Sequence, residues 1–484
     1  MRTTEDGTAP VSHWFAALGD RMPEPRSPLP GDLDVDVCIV GGGFTGLWTA
    51  HALRRADPAL DVLVVERDVC GFGASGRNGG WLQGHLAGDP ATWRARGGAA
   101  GAAAMQRAIV ATLDEIECVV AEEGIGCDLD RGGTLTVAQS AVELARLRAA
   151  ADRAREHGAW HDGDRWLEPD ELTARIAIPG ARGAWFSPDC ARLQPARLVR
   201  GLAQAVERAG ARIVEGTAAT ELRPAVRGRA VGDGRGRTGA PAVAVTDRGV
   251  VRARWVVRAT EGYTATLRGQ RRALAPINSA MVVTAPLERE RWAAIGWRGG
   301  ETVLDGGVLY HYLQRTADGR IAIGGRGVPY RCGSRSDREG PVPTRTVAQL
   351  RAGLRRLLGP AVDGVAIERA WHGVLGVPRD WTPAVAADPA TGIAWAGGYV
   401  GEGVAASNLA GRTLADLLRG SDTPLTRLPW VLAPGAAPPR WEPEPLRWGG
   451  IRGVHALLAG GQAIERRRDR PSRLVALGER LAGR

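Results

Sequence analysis

The pattern of apolar and polar positions is clearest near the start of the chain. Val35-Asp-Val-Cys-Ile-Val40 is a short run rich in β-branched residues and predicts a strand. It leads into Gly41-Gly42-Gly43-Phe44-Thr45-Gly46, after which Leu47, Ala50 and Leu53 recur at helical spacing until Asp57-Pro58 breaks the period. Val62–Val65 is a second apolar strand, closed by Glu66. The order is β-turn-α-β within about 30 residues. Residues before about Leu33 show no period and predict a linker or arm.

Further along, 92–157 is rich in alanine with charges at helical spacing, which predicts helices such as 101–122 and 140–157. A helix is expected over 196–209 and strands over Arg212–Val214 and Val251–Ala259, with a Gly/Arg-rich loop at 226–240 between those two strands. Strands follow at Met281–Thr284, Val308–Leu313 and Arg320–Gly324, the last two joined by the turn residues Asp318-Gly319. Helices are expected at 346–358 and 403–418, and a strand at Ile393–Ala396. The tail from 421 is rich in proline and tryptophan, with one helical stretch near its end.

Composition excludes several classes. With 44% hydrophobic and 24% charged residues the chain is globular rather than disordered. No apolar run approaches the ~20 residues of a membrane helix, and the opening residues show no secretory pattern. No membrane partner and a cytoplasmic location are therefore expected. All 63 cationic Lys/Arg positions are arginine. The missing lysine removes Schiff-base chemistry and the phosphate-binding P-loop lysine. The net charge is +10, but the arginine runs, such as Arg466-Arg467-Arg468 and Arg271-Arg272, lack interleaved aromatics. They read as solvated surface, and no nucleic-acid partner is expected. Six cysteines without a CxxC pair predict neither a metal site nor a disulfide framework.

The chemistry starts at Gly41-x-Gly43-x-x-Gly46. Following a strand, opening a helix and preceding Glu66 by 20 residues, it is a dinucleotide fingerprint. Gly41 makes the turn, Gly43 lets backbone N–H groups approach a pyrophosphate, and Gly46 lets helix and strand pack. Glu66 would accept ribose hydroxyls and would repel a 2′-phosphate. The glycine-rich loop Gly71-Phe-Gly73-Ala74-Ser75-Gly76-Arg77-Asn78-Gly79-Gly80 suits close approach to a flat ring and its ribityl chain, favouring FAD over NAD.

On these residues the chain resembles the D-amino acid oxidase/glycine oxidase superfamily of FAD enzymes, and within it the gamma-glutamylputrescine oxidoreductase-like proteins. The resemblance continues at Trp371-x-Gly373, Pro383, Gly397-Gly398-Tyr399-Val400-Gly401-Glu402-Gly403-Val404 and Asn408-Leu-Ala-Gly411-Arg412, which look like the family's closing flavin segment. It implies an α/β fold: a FAD-binding Rossmann-like (glutathione-reductase-like) domain with an inserted α+β substrate domain on an antiparallel sheet. The expected segmentation is an arm at 1–32, FAD domain at 33–90, 180–268 and 365–425, substrate domain at 91–179 and 269–364, and a tail at 426–484. The expected cofactor-binding set is Gly41, Gly43, Phe44, Thr45, Gly46, Glu66, Arg67, Gly73, Ala74, Ser75, Gly76, Arg77, Asn78, Gly79, Gly80, Ala218, Ala259, Thr260, Gly398, Gly401, Gly403 and Val404.

Three departures from the family stand out. Glu402 replaces a histidine found in many relatives. Tyr312-Leu313-Gln314 stands where relatives often show Tyr-x-Arg, which puts an α-amino-acid substrate in doubt. No lysine is present to activate dioxygen, as some sarcosine-oxidising relatives require. Ser75-Gly76-Arg77-Asn78 stands where relatives with a histidine tether carry Trp-His, and the surroundings of Cys332 do not match those of a cysteine tether. FAD is therefore expected to be noncovalent.

The implied activity is oxidation of the C–N bond of an amine or amino acid, with electrons passing to dioxygen or another acceptor. The alternatives are a dehydrogenase using a carrier, or a flavin-binding partner protein without turnover. Catalytic candidates are Tyr399, Glu402, His311, Tyr312 and His372, with Arg326 as a candidate for an anionic substrate. Strand alternation puts Tyr310 and Tyr312 on one face and His311 on the other, so they cannot all line one pocket.

Overall fold

The computed structural model describes residues 11–19, 24–156, 162–226, 240–325, 330–336 and 341–482. The 226–240 loop lies almost wholly outside the described residues, and Arg326 lies outside them altogether.

The first eight-stranded sheet is built on Leu33–Val40. That strand pairs in parallel with Val62–Val65 on one side (Val37 opposite Val62) and with Gly249–Arg258 on the other (Val37 opposite Trp255). Arg212–Val214 extends one edge in parallel. Ile393–Gly397 extends the other in parallel, followed by antiparallel Ala384–Asp388. Ala242–Thr246 and Ala219–Arg223 form an antiparallel flap on Gly249–Arg258. The central strands are buried on both faces, which explains their unbroken Val/Ile/Leu runs. One face packs against the helices Phe44–Ala56, Pro195–Arg208 and Gly403–Arg419.

The second eight-stranded sheet runs Ile367–Val377, Ala275–Thr284, Ile321–Gly325, His311–Arg315, Thr302–Asp305, Thr134–Ala138, Gly183–Ser187, Arg165–Leu167. All its pairs are antiparallel except Thr302–Asp305 with Thr134–Ala138. The helix Thr344–Leu358 covers one face through Leu350, Leu354, Leu357 and Leu358. A two-stranded ribbon of Trp81–Gln83 and Cys190–Arg192 lies apart from both sheets.

Several elements differ from the sequence expectation. The opening segment is not a free arm. Ser12 accepts the Phe15 N–H at the start of a short helix, His13–Ala16, and Trp14 and Phe15 are buried against Met281, Val283 and Trp371. The expected strand Val308–Leu313 is displaced to His311–Arg315, because Asp305 accepts the Gly307 N–H and turns the chain between two strands. The tail carries two helices, Leu446–Arg468 and Arg473–Ala482, where one was expected; glycine pairs at 449–450 and 460–461 hide the first from a propensity reading. The long helix begins at Pro90, capped by Asp89, and runs to Glu122.

Sheet membership also departs from the expected segmentation. The Pro90–Glu122 helix packs Ile109, Leu113 and Ile116 into the core of the first sheet, although 91–179 was assigned to the substrate domain. Gly183–Ser187 and Ile367–Val377, assigned to FAD segments, are strands of the second sheet. Neither segment has a clean period-two alternation, so only long-range pairing decides their sheet.

Candidate active site

The fingerprint folds as its residue types require. Gly41 has φ 115°, and a Cβ there would lie 2.5 Å from the Ala259 carbonyl oxygen. A Cβ at Gly46 would overlap the Gly41 carbonyl. Helix Phe44–Ala56 therefore starts hard against the sheet with Gly43 as its cap, contributing no side chain. Its first N–H, on Phe44, donates to Ser75 Oγ at 2.8 Å. An open, glycine-lined helix N-terminus carries partial positive charge and exposed donors, which is what a pyrophosphate needs.

Glu66 lies beside that terminus. Its carboxylate accepts the N–H of Gly42 at 2.7 Å and of Asp68 at 3.0 Å. Burial raises its pKa, with the two backbone donors opposing that shift. Arg67 lies over the Tyr263 ring. Ala259 donates its N–H to Val40, and Thr260 shares a hydroxyl hydrogen bond with Thr264. Both backbone groups of Ala218 are engaged by Asp247, its N–H by the side chain and its carbonyl by the Asp247 N–H.

The glycine-rich loop is held from several sides. Asn78 shapes it from within, donating to the carbonyls of Ala74 and Ser75 and accepting the Gly80 N–H. Arg77 is buried, donates to Phe72 O at 2.7 Å and His372 O at 3.3 Å, and lies over the Phe72 ring. The opening helix holds the loop from outside. Ser12 Oγ donates to Gly76 O, Trp14 Nε1 donates to Asn78 O, and the Phe15 ring occupies the space a Gly76 side chain would take. From the second sheet, Gln314 Nε2 donates to Gly79 O at 2.5 Å, and the Tyr312 ring covers Gly79. The Tyr312 hydroxyl pairs with Ser279 Oγ at 3.0 Å.

Strand register sorts the remaining candidates. Tyr312 stands opposite Gly324, Gly324 opposite Met281, and Met281 opposite Trp371, forming a row that faces the loop and the opening helix. His311, Gly325, Ala280 and His372 form the next row, on the face covered by the Thr344–Leu358 helix. His311 Nδ1 is 2.7 Å from the buried Asp305 carboxylate, and its ring packs over Gly353. The structure thus brings Tyr312 to the glycine-rich loop and leaves the His311 and His372 side chains on the far face.

The third wall is the turn before helix Gly403–Arg419. Tyr399 is buried, with its hydroxyl 3.1 Å from Thr45 Oγ1, so it links this turn to the fingerprint helix. Burial drives its pKa up. Val400 holds φ 55°, which is costly for a β-branched residue. Glu261 offsets that strain, one carboxylate oxygen accepting the N–H groups of Gly398 and Tyr399 at 3.1 Å each. Glu261 itself has φ 40°, and burial pushes its pKa up to about 7. Sequence reasoning missed Glu261; an acid directly after Ala259-Thr260, where the strand ends, was the available signal. Glu402 starts the closing helix without capping it by its side chain. Burial pushes its pKa up to about 7, and it acts electrostatically on Cys190 of the ribbon. Among the described residues it has no ion-pair partner.

The residues present fit FAD: an uncapped helix terminus for a pyrophosphate, Glu66 at the end of the second strand, a glycine-rich loop, and a closing helix N-terminus. Fold and site together define a two-sheet flavoprotein. The FAD dependent oxidoreductase (DAO) model matches residues 36–417, and the chain belongs to that family, with FAD as its cofactor. It is 28% identical over 416 residues to the gamma-glutamylputrescine oxidoreductase of Escherichia coli, covering 85% of this chain and 90% of that protein. Among solved structures, glycine oxidase from Geobacillus kaustophilus superposes with TM-score 0.66 at 21% identity, covering 84% of this chain and all of that one. L-proline dehydrogenase from P. horikoshii gives TM-score 0.64 at 19% identity, covering 82% and 96%.

Proposed function

We propose that this enzyme oxidises the C–N bond of an amine that carries no carboxylate on the reacting carbon, rather than of an α-amino acid. FAD, held noncovalently by the fingerprint helix, Glu66 and the glycine-rich loop, supplies the hydride acceptor. The observation that carries the reading is Glu402, a half-buried carboxylate at the start of the closing helix with no ion-pair partner among the described residues. Across the loop, Gln314 donates to backbone carbonyls of Gly79 and Leu193 and offers no cation to a carboxylate.

Glu402 would hold the substrate cation and take its proton, because a group near pKa 7 exchanges protons readily at neutral pH. Tyr312, fixed by Ser279, and Tyr399, fixed by Thr45, supply rigid apolar walls that exclude water. The test is an anaerobic screen of amines and amino acids, following flavin bleaching. Amines lacking an α-carboxylate should bleach the flavin, and Glu402→Gln should raise their KM by about tenfold or more, the value of a charge-assisted hydrogen bond. Bleaching by α-amino acids alone, unaffected by Glu402→Gln, would overturn the reading.

A further inference from the structure

The C-terminal helical hairpin, Leu446–Arg468 and Arg473–Ala482, lies beyond the family match at 36–417, so the shared flavin chemistry does not account for it. Its inner side is fixed to the second sheet. Gln462 accepts the Leu309 N–H at 2.7 Å and returns a bond to Leu309 O. Glu465 pairs with Arg146 at 2.6 Å, and Arg466 lies 3.8 Å from the buried Asp305. Val308, Leu458 and Val475 form a small apolar core between sheet and hairpin. The hairpin is therefore a rigid platform.

Its outer side is unlike the rest of the surface. Seven large apolar side chains are exposed among the described residues, and six belong to this hairpin: Leu446, Trp448, Ile464, Leu474, Leu477 and Leu481. Leu446 and Ile464 are 18 residues, or five turns, apart and share one helix face; Leu474, Leu477 and Leu481 follow the i, i+3, i+7 rule on the other helix. Gly460 brings the two stripes together, lying against Leu474. Scattered exposed leucines mean little, whereas six of the seven exposed large apolar side chains gathered on one hairpin mark an interaction surface.

Charge identifies the partner. Residues 446–482 hold eight arginines against Glu465, Asp469 and Glu479, which is half the chain's net charge of +10. Arg452, Arg467, Arg468, Arg470, Arg473 and Arg480 are exposed around the apolar stripe. Two copies meeting through this face would bring like charges together, which disfavours self-association. An apolar stripe flanked by arginines is the signature of a helix lying in the interface of an anionic bilayer.

We infer that the outer face of the C-terminal hairpin docks this enzyme peripherally on anionic lipid. Nothing need span the bilayer, and no helix among the described residues is long and apolar enough to do so. A peripheral contact of this kind needs neither a spanning segment nor a secretory leader.

The experiment is vesicle flotation of the holoenzyme, with phosphatidylglycerol-containing vesicles compared with pure phosphatidylcholine, at low and high salt. The protein should float with the anionic vesicles and be released by salt. The double variant Leu477→Glu/Leu481→Glu should lose at least about tenfold in binding, since each leucine contributes burial in the interface. Arg467→Glu/Arg473→Glu should lose about fivefold or more per arginine together with the salt dependence. Unchanged flavin absorbance and near-ultraviolet circular dichroism verify that each variant is folded. Failure to float with either vesicle, or equal binding to both lipids, would overturn the inference. So would a lipid-free dimer, seen by analytical ultracentrifugation, that Leu477→Glu/Leu481→Glu dissociates, since a second copy would then cover the face. None of these readouts depends on turnover, so they leave the proposed amine chemistry untouched.

Discussion

Replacing Glu402 by glutamine tests whether the proposed cation-binding carboxylate is unsatisfied in the protein alone. Burial moves its pKa from the ordinary glutamate value of 4.5 to about 7. Because the folded pKa lies above the unfolded one, the folded state holds the extra proton between those values. Stability is then fully present below about pH 4.5 and is lost as pH rises through about 7. A displacement of that size is worth about 3 kcal/mol at full deprotonation. Glutamine keeps the shape and removes the charge. The urea midpoint of apo Glu402→Gln should therefore exceed that of the wild type by the equivalent of about 2–3 kcal/mol near pH 8, and the two should converge near pH 4.5. Glu261 has the same direction and magnitude, so the wild-type slope alone is uninformative and the difference between the two proteins must be measured. Equal midpoints across this range, or a variant less stable near pH 8, would show that the Glu402 carboxylate is satisfied and not poised for a cation.

Four further outcomes follow from the site. Glu66→Ala should weaken FAD binding by about 1.5–3 kcal/mol for each charged hydrogen bond lost, read as the apoprotein's dissociation constant for FAD, with little change in turnover by the remaining holoenzyme. Acid or heat should release intact FAD, because Ser75-Gly76-Arg77-Asn78 offers no tether; flavin staying with the denatured chain would contradict this. Trp14→Phe removes the indole donor to Asn78 O and should cost about 1 kcal/mol, whereas Trp14→Ala also empties a buried site and should cost about 3–5 kcal/mol in thermal or urea unfolding. With no lysine to stabilise anionic charge developing on dioxygen, stopped-flow reoxidation of the reduced enzyme should be slow with dioxygen and faster with a quinone or dye; rapid reoxidation by dioxygen would contradict it.

The parts of the fold legible in the sequence are those whose signal is local. Val35–Val40, the glycine turn, the helix with Leu47, Ala50 and Leu53, and Val62–Val65 form within one continuous stretch, and each residue type answers a constraint inside it. Gly46 is required by Gly41 five residues away, and Glu66 is reached one strand later. The Arg212–Val214 strand and the 403–418 helix were legible for the same reason, since each is a short apolar period bounded by breakers. Sheet membership was not. Gly183–Ser187 and Ile367–Val377 carry no local signal for either sheet, and only the pairing of Trp185 with Thr136 and of Trp371 with Met281 places them.

The candidate site divides along the same line. Its cofactor cradle was legible because backbone geometry dictates glycine at fixed spacing, but the walls around it are assembled from segments 64 to 235 residues apart. Trp14 reaches Asn78 across 64 residues, Gln314 reaches Gly79 across 235, and Glu261 reaches Tyr399 across 138. Trp14 carries no spacing rule that would mark it, and the positions of Gln314 and Glu261 along the chain do not say which backbone groups they reach. The histidines show the converse. His311 and His372 are chemically suggestive, yet a period of two places both on the face turned away from the loop. Their neighbours Tyr312 and Trp371 hold the positions that matter, so a shift of one residue in register separates an Asp305-bound structural histidine from a wall of the site.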